Sequence, residues 1–428
     1  MAGAGLHATM AGDRSGAARK EWAAHWPIVL SAAVGCSVAG LHLHSMGLFI
    51  QPLEAGFGWS RSQISAALSI SSVVGLALAL FVGLAVDRWG SRSIALAGLT
   101  LYIAAFAALG AVGPSIHSYW AIYTLLSIAV ALIAPTVWTA AVARRFQAAR
   151  GMAFALTLAG PSLCSFLIPL LTHWLISDHG WRLAYVGLAG IFGIVAIPLT
   201  LMLFRDGHAG GDARAARPEG QASGRSRAGL GELRGIAALR SGRYWRIAFA
   251  GLCTTSIIVG MTVHFIPFTT HAGLDRSLAA LAAGFIGIAS LGGRLLEGAL
   301  IDRCSAALIS GLSFLLPAVA AVLALLFDGS LPMALLIAVA LGMGLGAEYS
   351  LLAYLISRCF GTRHFGVLFG IVAAGVHLGA GLGPLLSGAA FDMAGGYAPF
   401  ILGALLLSPL CSFIMFTLGP MPNPDAAP

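Results

Sequence analysis

The stretch that decides the fold is Gly83-Leu-Ala-Val-Asp87-Arg88-Trp-Gly90-Ser-Arg92, a short charged segment between two long apolar runs. A partial second copy, Gly298-Ala-Leu-Ile-Asp302-Arg303, follows about 215 residues later. Further pairs share this offset, namely Arg61 with Arg276, Gly160 with Gly375, Pro169 with Pro384 and Gly180 with Gly395. A constant offset over such a length indicates that the two halves of the chain arose by internal duplication.

The composition places both halves in a membrane. Of the 428 residues, 58% are apolar and only 9% carry a formal charge, whereas soluble proteins draw about a quarter of their residues from Asp, Glu, Lys and Arg. Apolar runs long enough to cross a bilayer, at about 20 residues each, fall at 27–53, 62–86, 94–113, 119–143, 152–176, 182–204, 247–271, 277–301, 308–327, 332–356, 366–391 and 397–418. We therefore predict an all-α membrane protein with twelve transmembrane helices, arranged as two six-helix bundles related by the duplication.

A basic segment separates the two sets of apolar runs. It covers residues 205–246, is rich in Gly, Ala and Arg, and is expected to be a flexible linker. The chain is accordingly divided into a tail at 1–26, a first bundle at 27–204, the linker, a second bundle at 247–418 and a tail at 419–428.

The net charge of +8 reports the topology of the chain rather than a nucleic-acid partner. Most of the 24 basic residues lie in the N-terminal tail, in the linker and in alternate loops, around Arg88, Arg144, Arg303 and Arg358. Short cytoplasmic loops retain Lys and Arg. We therefore expect both tails and the linker to be cytoplasmic, in a multi-pass protein of the cell inner membrane that contacts the lipid bilayer and no nucleic acid.

The segment at 83–92 resembles the loop signature of the major facilitator superfamily. Three other stretches resemble bacterial members of its monocarboxylate porter family: Phe49-Ile-Gln-Pro-Leu-Glu-Ala-Gly-Phe-Gly-Trp-Ser-Arg61-Ser, Gly180-Trp-Arg-Leu-Ala-Tyr185 and Gly346-Ala-Glu348-Tyr-Ser-Leu-Leu-Ala-Tyr354-Leu-Ile-Ser-Arg358-Cys-Phe360-Gly. The resemblance covers nearly the whole chain outside the linker and the tails. It implies the major facilitator fold and a secondary active transporter that works by alternating access, not an enzyme.

The resemblance also implies a gate. In the family, the charged loop tethers the two halves on the cytoplasmic side and releases them as the transporter turns. Here this gating role falls to Gly83, Asp87, Arg88 and Arg92, and in the second copy to Asp302 and Arg303. Because Cys304 and Ser305 replace the glycine-containing end of the motif, we expect the second latch to be weaker.

Arg294 is the first candidate for substrate binding. An arginine at mid-membrane costs about 2.5–3.5 kcal/mol, so it is expected to face a polar cavity or a partner. Its planar guanidinium matches a carboxylate, and in the monocarboxylate porters an arginine of the eighth span is held to bind the substrate carboxylate. The alternative is a structural pair with Glu297 or Glu348.

Three histidines are further candidates for substrate binding. His44 lies where the resemblance places a basic residue of the first span, with histidine in place of lysine, so anion binding would depend on its protonation. His264 and His377 lie in the seventh and eleventh spans. For all three, a polar packing contact within the bundle is the alternative.

Glu297 and Glu348 are candidate proton carriers, because a carboxyl in apolar surroundings can exchange a proton near neutral pH. The family's proton-handling Asp, four residues before the arginine of the eighth span, is Ser290 here. Proton coupling would therefore require Glu297 to take over. The alternatives are a structural pair with Arg294 for Glu297, and helix packing for Glu348.

Two glycine-rich stretches favour packing over ligand binding. Gly375, Gly379 and Gly383 share one face of the eleventh span, which permits a close helix crossing. Gly342-Met-Gly344-Leu-Gly346 lies inside an apolar run with no preceding strand, so it does not predict a phosphate site.

Taken together, the residues favour uptake of a small organic anion, a monocarboxylate or related organic acid, by symport with a proton. We expect a monomer without cofactor or bound metal. The alternative is a drug or metabolite efflux proton antiporter of the same fold. Against it, the fourth span has no basic residue from Tyr119 to Val142, and the fifth has only Gly160-Pro161-Ser-Leu-Cys where family antiporters carry a longer glycine motif.

Overall fold

The computed structural model describes residues 2–147, 149–204, 238–301, 303–361 and 364–418, and all regular structure in these ranges is helical. The first half contains α1 (Ala2–Val38), α2 (Leu41–Phe57), α3 (Arg61–Trp89), α4 (Ser91–Ala108), α5 (Ile116–Leu132), α6 (Pro135–Arg145) and α7 (Arg150–Leu203). The second half contains α8 (Gly242–Val263), α9 (Phe265–His271), α10 (Arg276–Ile301), α11 (Ala306–Leu325), α12 (Leu331–Phe360), α13 (Phe365–Ala394) and α14 (Ala398–Phe416).

The twelve predicted spans are present as helices. Within the described ranges, 11 helical stretches are long and apolar enough to cross a membrane, and the longest, Met152–Leu203, contains two predicted runs. These two runs meet at Gly180, whose φ of 79° and ψ of 162° are not helical. The all-α fold with twelve spans is therefore confirmed.

The predicted segment boundaries differ from the helix ends in two places. Helix α1 begins at Ala2, so most of the predicted tail at 1–26 continues the first span, as its many alanines favour. Helix α8 begins at Gly242, before the predicted end of the linker at 246. The rest of the predicted linker, 205–237, and the predicted tail at 419–428 lie outside the described residues.

Three spans are interrupted. The first breaks at Ala39 and Gly40, the fourth breaks before Pro135, and the seventh breaks at His264, between α8 and α9. Proline at the first position of α6 suits a new helix start, because it needs no helical partner for its missing N–H. Interrupted spans leave backbone groups without their usual partners, so they mark positions where a membrane protein can bind polar groups.

The ends of α3 are built by specific residues. Its start is a capping box, in which the Ser60 side chain accepts from the Gln63 backbone N–H and the Gln63 side chain accepts from Ser60 N–H. Its end is Gly90, whose φ of 82° favours glycine. The two caps place Arg61 in the first turn of α3 and Asp87 in the last.

The core consists of three clusters that lie mainly within one half each, although Val259 and Val263 join the cluster of the first half and Leu48 joins one of the second. The first half packs around buried aromatic side chains that include Tyr102, Phe106, Tyr123 and Trp138. The second half has two clusters, one around α9, α10 and α12 near Phe265, and the other around the opposite ends of α8, α12 and α13.

The two halves meet along two equivalent helix pairs. In one, Gly381 of α13 packs on Ser69 and Ser72 of α3. In the other, Gly284 of α10 packs on Phe166 of α7. The offset of about 215 relates Ser69 to Gly284 and Phe166 to Gly381, so one contact is the duplicate of the other with the glycine moved to the opposite helix.

The predicted packing role of the glycine stripes agrees with the structure. A Cβ at Gly379 would lie 2.5 Å from the Leu252 carbonyl oxygen, and one at Gly383 would lie 1.9 Å from that of Ser256, so α13 crosses α8 with no room for side chains. Gly342 and Gly346 press in the same way on α10.

Candidate functional site

Arg294 lies at the junction of the two halves. It is half-buried on α10, and its guanidinium makes two long contacts, from Nε to the Gly346 carbonyl at 3.5 Å and from Nη1 to the Leu158 carbonyl at 3.4 Å. Gly346 belongs to the second half and Leu158 to the first. Since both distances lie beyond the usual range for an N–H···O bond, most of the five N–H donors of Arg294 are available to a ligand.

Glu297 is the neighbour of Arg294 on α10. The two side chains interact electrostatically, as residues three apart on a helix do. They are not an ion pair, since the ion pair found in the described ranges joins Arg61 to Glu54. Glu297 is buried, and its Oε2 has no hydrogen-bond partner. The site therefore holds a buried carboxyl oxygen that is free to take a proton.

Glu348 lies apart from this pair, inside the second half. It is buried, and its Oε1 accepts a hydrogen bond of 2.6 Å from the Thr255 hydroxyl. This contact joins α12 to α8, so in this conformation Glu348 makes a helix-packing bond, which is the alternative that the sequence left open.

His44 and His377 have no hydrogen-bond partner in the described part of the chain. The His44 ring is half-buried beside the break in the first span, where a Cβ at Gly40 would lie 3.2 Å from its Cδ2. His377 is exposed and lies one turn before Gly381 on the face of α13 that meets α3.

His264 is held by protein groups on both ring nitrogens. Its Nδ1 is 3.0 Å from the Tyr397 hydroxyl, and its Nε2 is 3.0 Å from both the Ser65 hydroxyl and the Pro384 carbonyl. In this conformation, no nitrogen of His264 is left for a substrate. Instead, the ring joins α3 of the first half to the second half.

The Tyr397 hydroxyl continues this network to Arg61. Arg61 is 5% exposed and donates from Nη1 to Tyr397 at 2.7 Å. Its guanidinium also lies 3.5 Å from the centre of the Phe391 ring and 3.2 Å from Glu54. A buried guanidinium needs such partners, because an unpaired buried charge is costly.

Asp392 completes the network at the start of α3. Its two carboxylate oxygens accept from the backbone N–H groups of Arg61, at 3.0 Å, and Ser62, at 2.9 Å. A carboxylate at a helix N-terminus is favoured by the free N–H groups and the helix dipole. We call Arg61, Ser65, His264, Asp392 and Tyr397 the Arg61 seal, and the end of the bundle where they lie the Arg61 end.

Further bonds between the halves lie toward the same end. They run from Gln51 to Thr270 at 3.0 Å, from Arg276 to the Leu48 carbonyl at 2.7 Å, and from Ser69 to the Gly381 carbonyl at 2.8 Å. Within the described ranges, the contact of Arg294 with Leu158 is the one hydrogen bond between the halves that lies outside this region. The two halves are therefore fastened at the Arg61 end.

At the opposite end of α3, which finishes at Trp89, none of the hydrogen bonds given above joins the two halves. Asp87 and Arg88 are exposed, and Arg92 donates to the Leu201 carbonyl of its own half at 2.7 Å. A Cβ at Gly83 would meet no atom within 4 Å, so the expected close approach of a second helix does not occur here. In the second copy, Arg303 is exposed, and Asp302 lies outside the described residues. Asp87, Arg88 and Arg303 are thus exposed in this conformation, and the gating role of these residues stays a prediction.

The fold agrees with the comparisons. The sequence profile of the Major Facilitator Superfamily matches residues 30–367 and 298–428. The chain belongs to the major facilitator superfamily. Because members of this superfamily are membrane transporters, this chain is a membrane transporter.

Two curated relatives are similar to this chain over most of its length. Monocarboxylate transporter 11 of Homo sapiens is 28% identical over 436 residues, covering 94% of this chain and 85% of that protein. Monocarboxylate transporter 13 of Rattus norvegicus is 26% identical over 407 residues, covering 90% and 86%. A crystal structure of the nucleoside transporter NupG aligns with a TM-score of 0.75 over 92% of this chain and 99% of that chain; at 13% identity it supports the fold alone.

The contacts of the Arg61 seal were not predicted from the sequence of this major facilitator chain. In the sequence, Arg61 stands out only as a marker of the duplication, through its match with Arg276, and Asp392 and Tyr397 do not stand out at all. One signal was available: both halves keep an arginine at the start of their second span, and both arginines bond across the junction. A charge retained in both copies at the same helix end indicates a shared contact.

Proposed function

We propose that this transporter moves a small organic anion, a monocarboxylate or a related organic acid, and that Arg294 binds its carboxylate. The observation that carries the proposal is the guanidinium of Arg294, half-buried between the two halves with most of its donors free. Such a fork can bind both oxygens of a carboxylate. Similarity to two monocarboxylate transporters supports the substrate class.

The position of Arg294 also relates binding to movement. Its contact with Leu158 crosses from the second half to the first. A carboxylate bound to the guanidinium would replace this long bond, so substrate binding would change how the two halves are held. Differential contact of this kind is what a ligand needs in order to shift a conformational equilibrium.

Glu297 is the proposed proton carrier. The positive charge of Arg294 favours the ionised carboxyl of Glu297, whereas a bound substrate anion cancels that charge. Anion and proton are therefore expected to bind together, which is the requirement for symport. The unpartnered Oε2 of Glu297 supports this assignment. His44 and His377 are proposed to contact the substrate, since both lie near the junction with free ring nitrogens.

The sidedness follows from the charge distribution. If the basic loops are cytoplasmic, the Arg61 end faces away from the cytoplasm, and the described conformation is closed outside and open inside. His264 and the rest of the Arg61 seal then act as the outer gate, and Asp87, Arg88 and Arg92 as part of the inner gate.

The carboxylate-binding role is tested by uptake into proteoliposomes. Arg294→Lys keeps the charge but loses the fork, and we expect it to abolish uptake of a labelled monocarboxylate. Arg182→Lys is the matched control, because Arg182 also donates to two backbone carbonyls, those of Gly110 and Val112. Thermal unfolding of both variants checks the fold. Normal uptake by Arg294→Lys would refute the proposal that the guanidinium of Arg294 binds the substrate carboxylate.

Proton coupling is tested with Glu297→Gln. In the wild type, an inward proton gradient is expected to accelerate uptake, and a protonophore is expected to remove the acceleration. Glu297→Gln should retain anion exchange between two equal pools but lose the response to the gradient. Acceleration by an outward gradient instead would support the efflux antiporter.

A further inference from the structure

We propose that a recess on the first half, lined by Arg145, binds an anionic phospholipid of the cytoplasmic leaflet. The recess is open, with a volume of about 360 Å³. It is formed by α1, by the end of α6 and by the end of α7. Its main lining residues are His25, Pro27, Ile28, Arg145, Met202 and Leu203. All of them belong to the first half, so the recess is separate from the junction that holds Arg294.

The recess lies at the ends of three apolar runs, where the bilayer interface is expected. Arg145 is the second residue after the fourth apolar run, Pro27 begins the first, and Leu203 is near the end of the sixth. Trp26, next to the lining residues, is 53% exposed. Tryptophan is enriched where a bilayer meets water, so the opening of the recess lies where lipid headgroups do.

The lining is amphipathic. Arg145 and His25 contribute polar nitrogen atoms, whereas Ile28 and Met202 contribute apolar surface, and Met202 is 69% exposed. A headgroup at Arg145 would therefore have its acyl chain against the apolar side. Phe146, in contact with Trp22 at 5.1 Å and with the His25 ring at 6.1 Å between ring centres, holds the polar side in place.

The charge on Arg145 is uncompensated in the described part of the chain. The side chain is half-buried, yet no hydrogen bond or ion pair to it is formed there. Other half-buried arginines donate to carbonyls, Arg246 to that of Ile414 and Arg276 to that of Leu48. The nearby carboxylate of Glu21 accepts from backbone N–H groups of the loop that follows α6.

These observations favour a phosphate-bearing lipid over a zwitterionic one. Basic pockets between transmembrane helices on the cytoplasmic side suit anionic headgroups. Because Arg145 offers a fork of donors, it can bind two phosphate oxygens. The apolar wall explains why the ligand is a lipid and not free phosphate.

The test is lipid binding by the purified full-length protein, measured by native mass spectrometry with phosphatidylglycerol. We expect Arg145→Gln to weaken binding about tenfold, which is the size of one lost charge-assisted hydrogen bond. Arg144→Gln, which removes the same charge from the adjacent exposed residue, is expected to bind as the wild type does. Thermal unfolding without added lipid shows whether each variant is folded.

Three results would overturn the proposal. They are unchanged binding by Arg145→Gln, equal loss in Arg144→Gln, and phosphatidylcholine binding as tight as that of phosphatidylglycerol. Competition with inorganic phosphate distinguishes a lipid headgroup from free phosphate as the anion that binds at Arg145. If millimolar phosphate displaces the lipid, the recess is an oxyanion site and the lipid assignment is wrong.

Discussion

Removal of the Asp392 carboxylate is expected to shift the transporter toward the conformation that is open at the Arg61 end. Asp392→Ala deletes the two hydrogen bonds that α3 donates across the junction, at 3.0 and 2.9 Å. Hydrogen bonds to a charged group contribute about 1.5–3 kcal/mol each, and exposure to solvent reduces this to about 1 kcal/mol each at the rim. The loss of about 2 kcal/mol corresponds to a shift of about 30-fold in the ratio of the two conformations.

The shift can be measured by electron spin resonance between two labels at the Arg61 end. Suitable positions are His117 in the first half and Ala272 in the second, both exposed. The wild type should give one dominant short distance, and Asp392→Ala should add a longer one. Transport measurements on the same samples would relate the two populations to activity.

Asp275→Ala is the matched control for this experiment. Asp275 also caps a helix at the Arg61 end, but it accepts from Ser277 and Leu278 of its own half. Its removal should leave the distance distribution unchanged. If Asp392→Ala gives the wild-type distribution as well, or if Asp275→Ala shifts it equally, the Arg61 seal does not hold the two halves together.

Three further changes test other parts of the structure. Gly388→Val inserts a side chain whose Cβ would lie 2.8 Å from the Arg61 backbone. It should separate α3 from α13 and add the longer distance between the same two spin labels. The control is Gly403→Val, whose Cβ would have no atom within 4 Å and which should leave the distances unchanged. Thr255→Val removes the hydroxyl that donates to Glu348 and should lower the free energy of unfolding by about 1–3 kcal/mol. The measurement is unfolding in detergent, with Thr124→Val as the control. An unchanged free energy of unfolding would contradict a stabilising role for this hydrogen bond. Asp87→Asn should leave thermal unfolding unchanged, because Asp87 is exposed in this conformation, yet slow net uptake by weakening the closed inner gate; a loss of stability with normal uptake would contradict this.

Much of the fold was predictable because its signals are local. A run of about 20 apolar residues forms a helix wherever it lies in the bilayer, since every backbone group must find a partner within the segment. The offset of about 215 then implied two copies of one bundle, and the structure repeats the contact of Ser69 with Gly381 as that of Phe166 with Gly284.

The candidate site was predictable in part. Arg294, Glu297 and His44 stand out as ionisable residues in apolar runs, and the cost of burying such groups is enough to mark them in the sequence. His264 stood out for the same reason, but its partners did not, because Ser65 and Tyr397 are ordinary residues that lie far from it in sequence. The burial cost predicts that a polar side chain has a partner, not which one.

The sequence by itself determined that this protein is a duplicated, twelve-span membrane chain with a few ionisable groups in its apolar runs. Only the tertiary structure decided that Arg61 and Asp392 meet, that Glu348 bonds to Thr255, and that Asp87 is exposed while the two halves are joined at the Arg61 end. The physical reason is that apolar periodicity specifies which segments enter the membrane, whereas the pairing of polar groups depends on how two rigid bundles lie against each other.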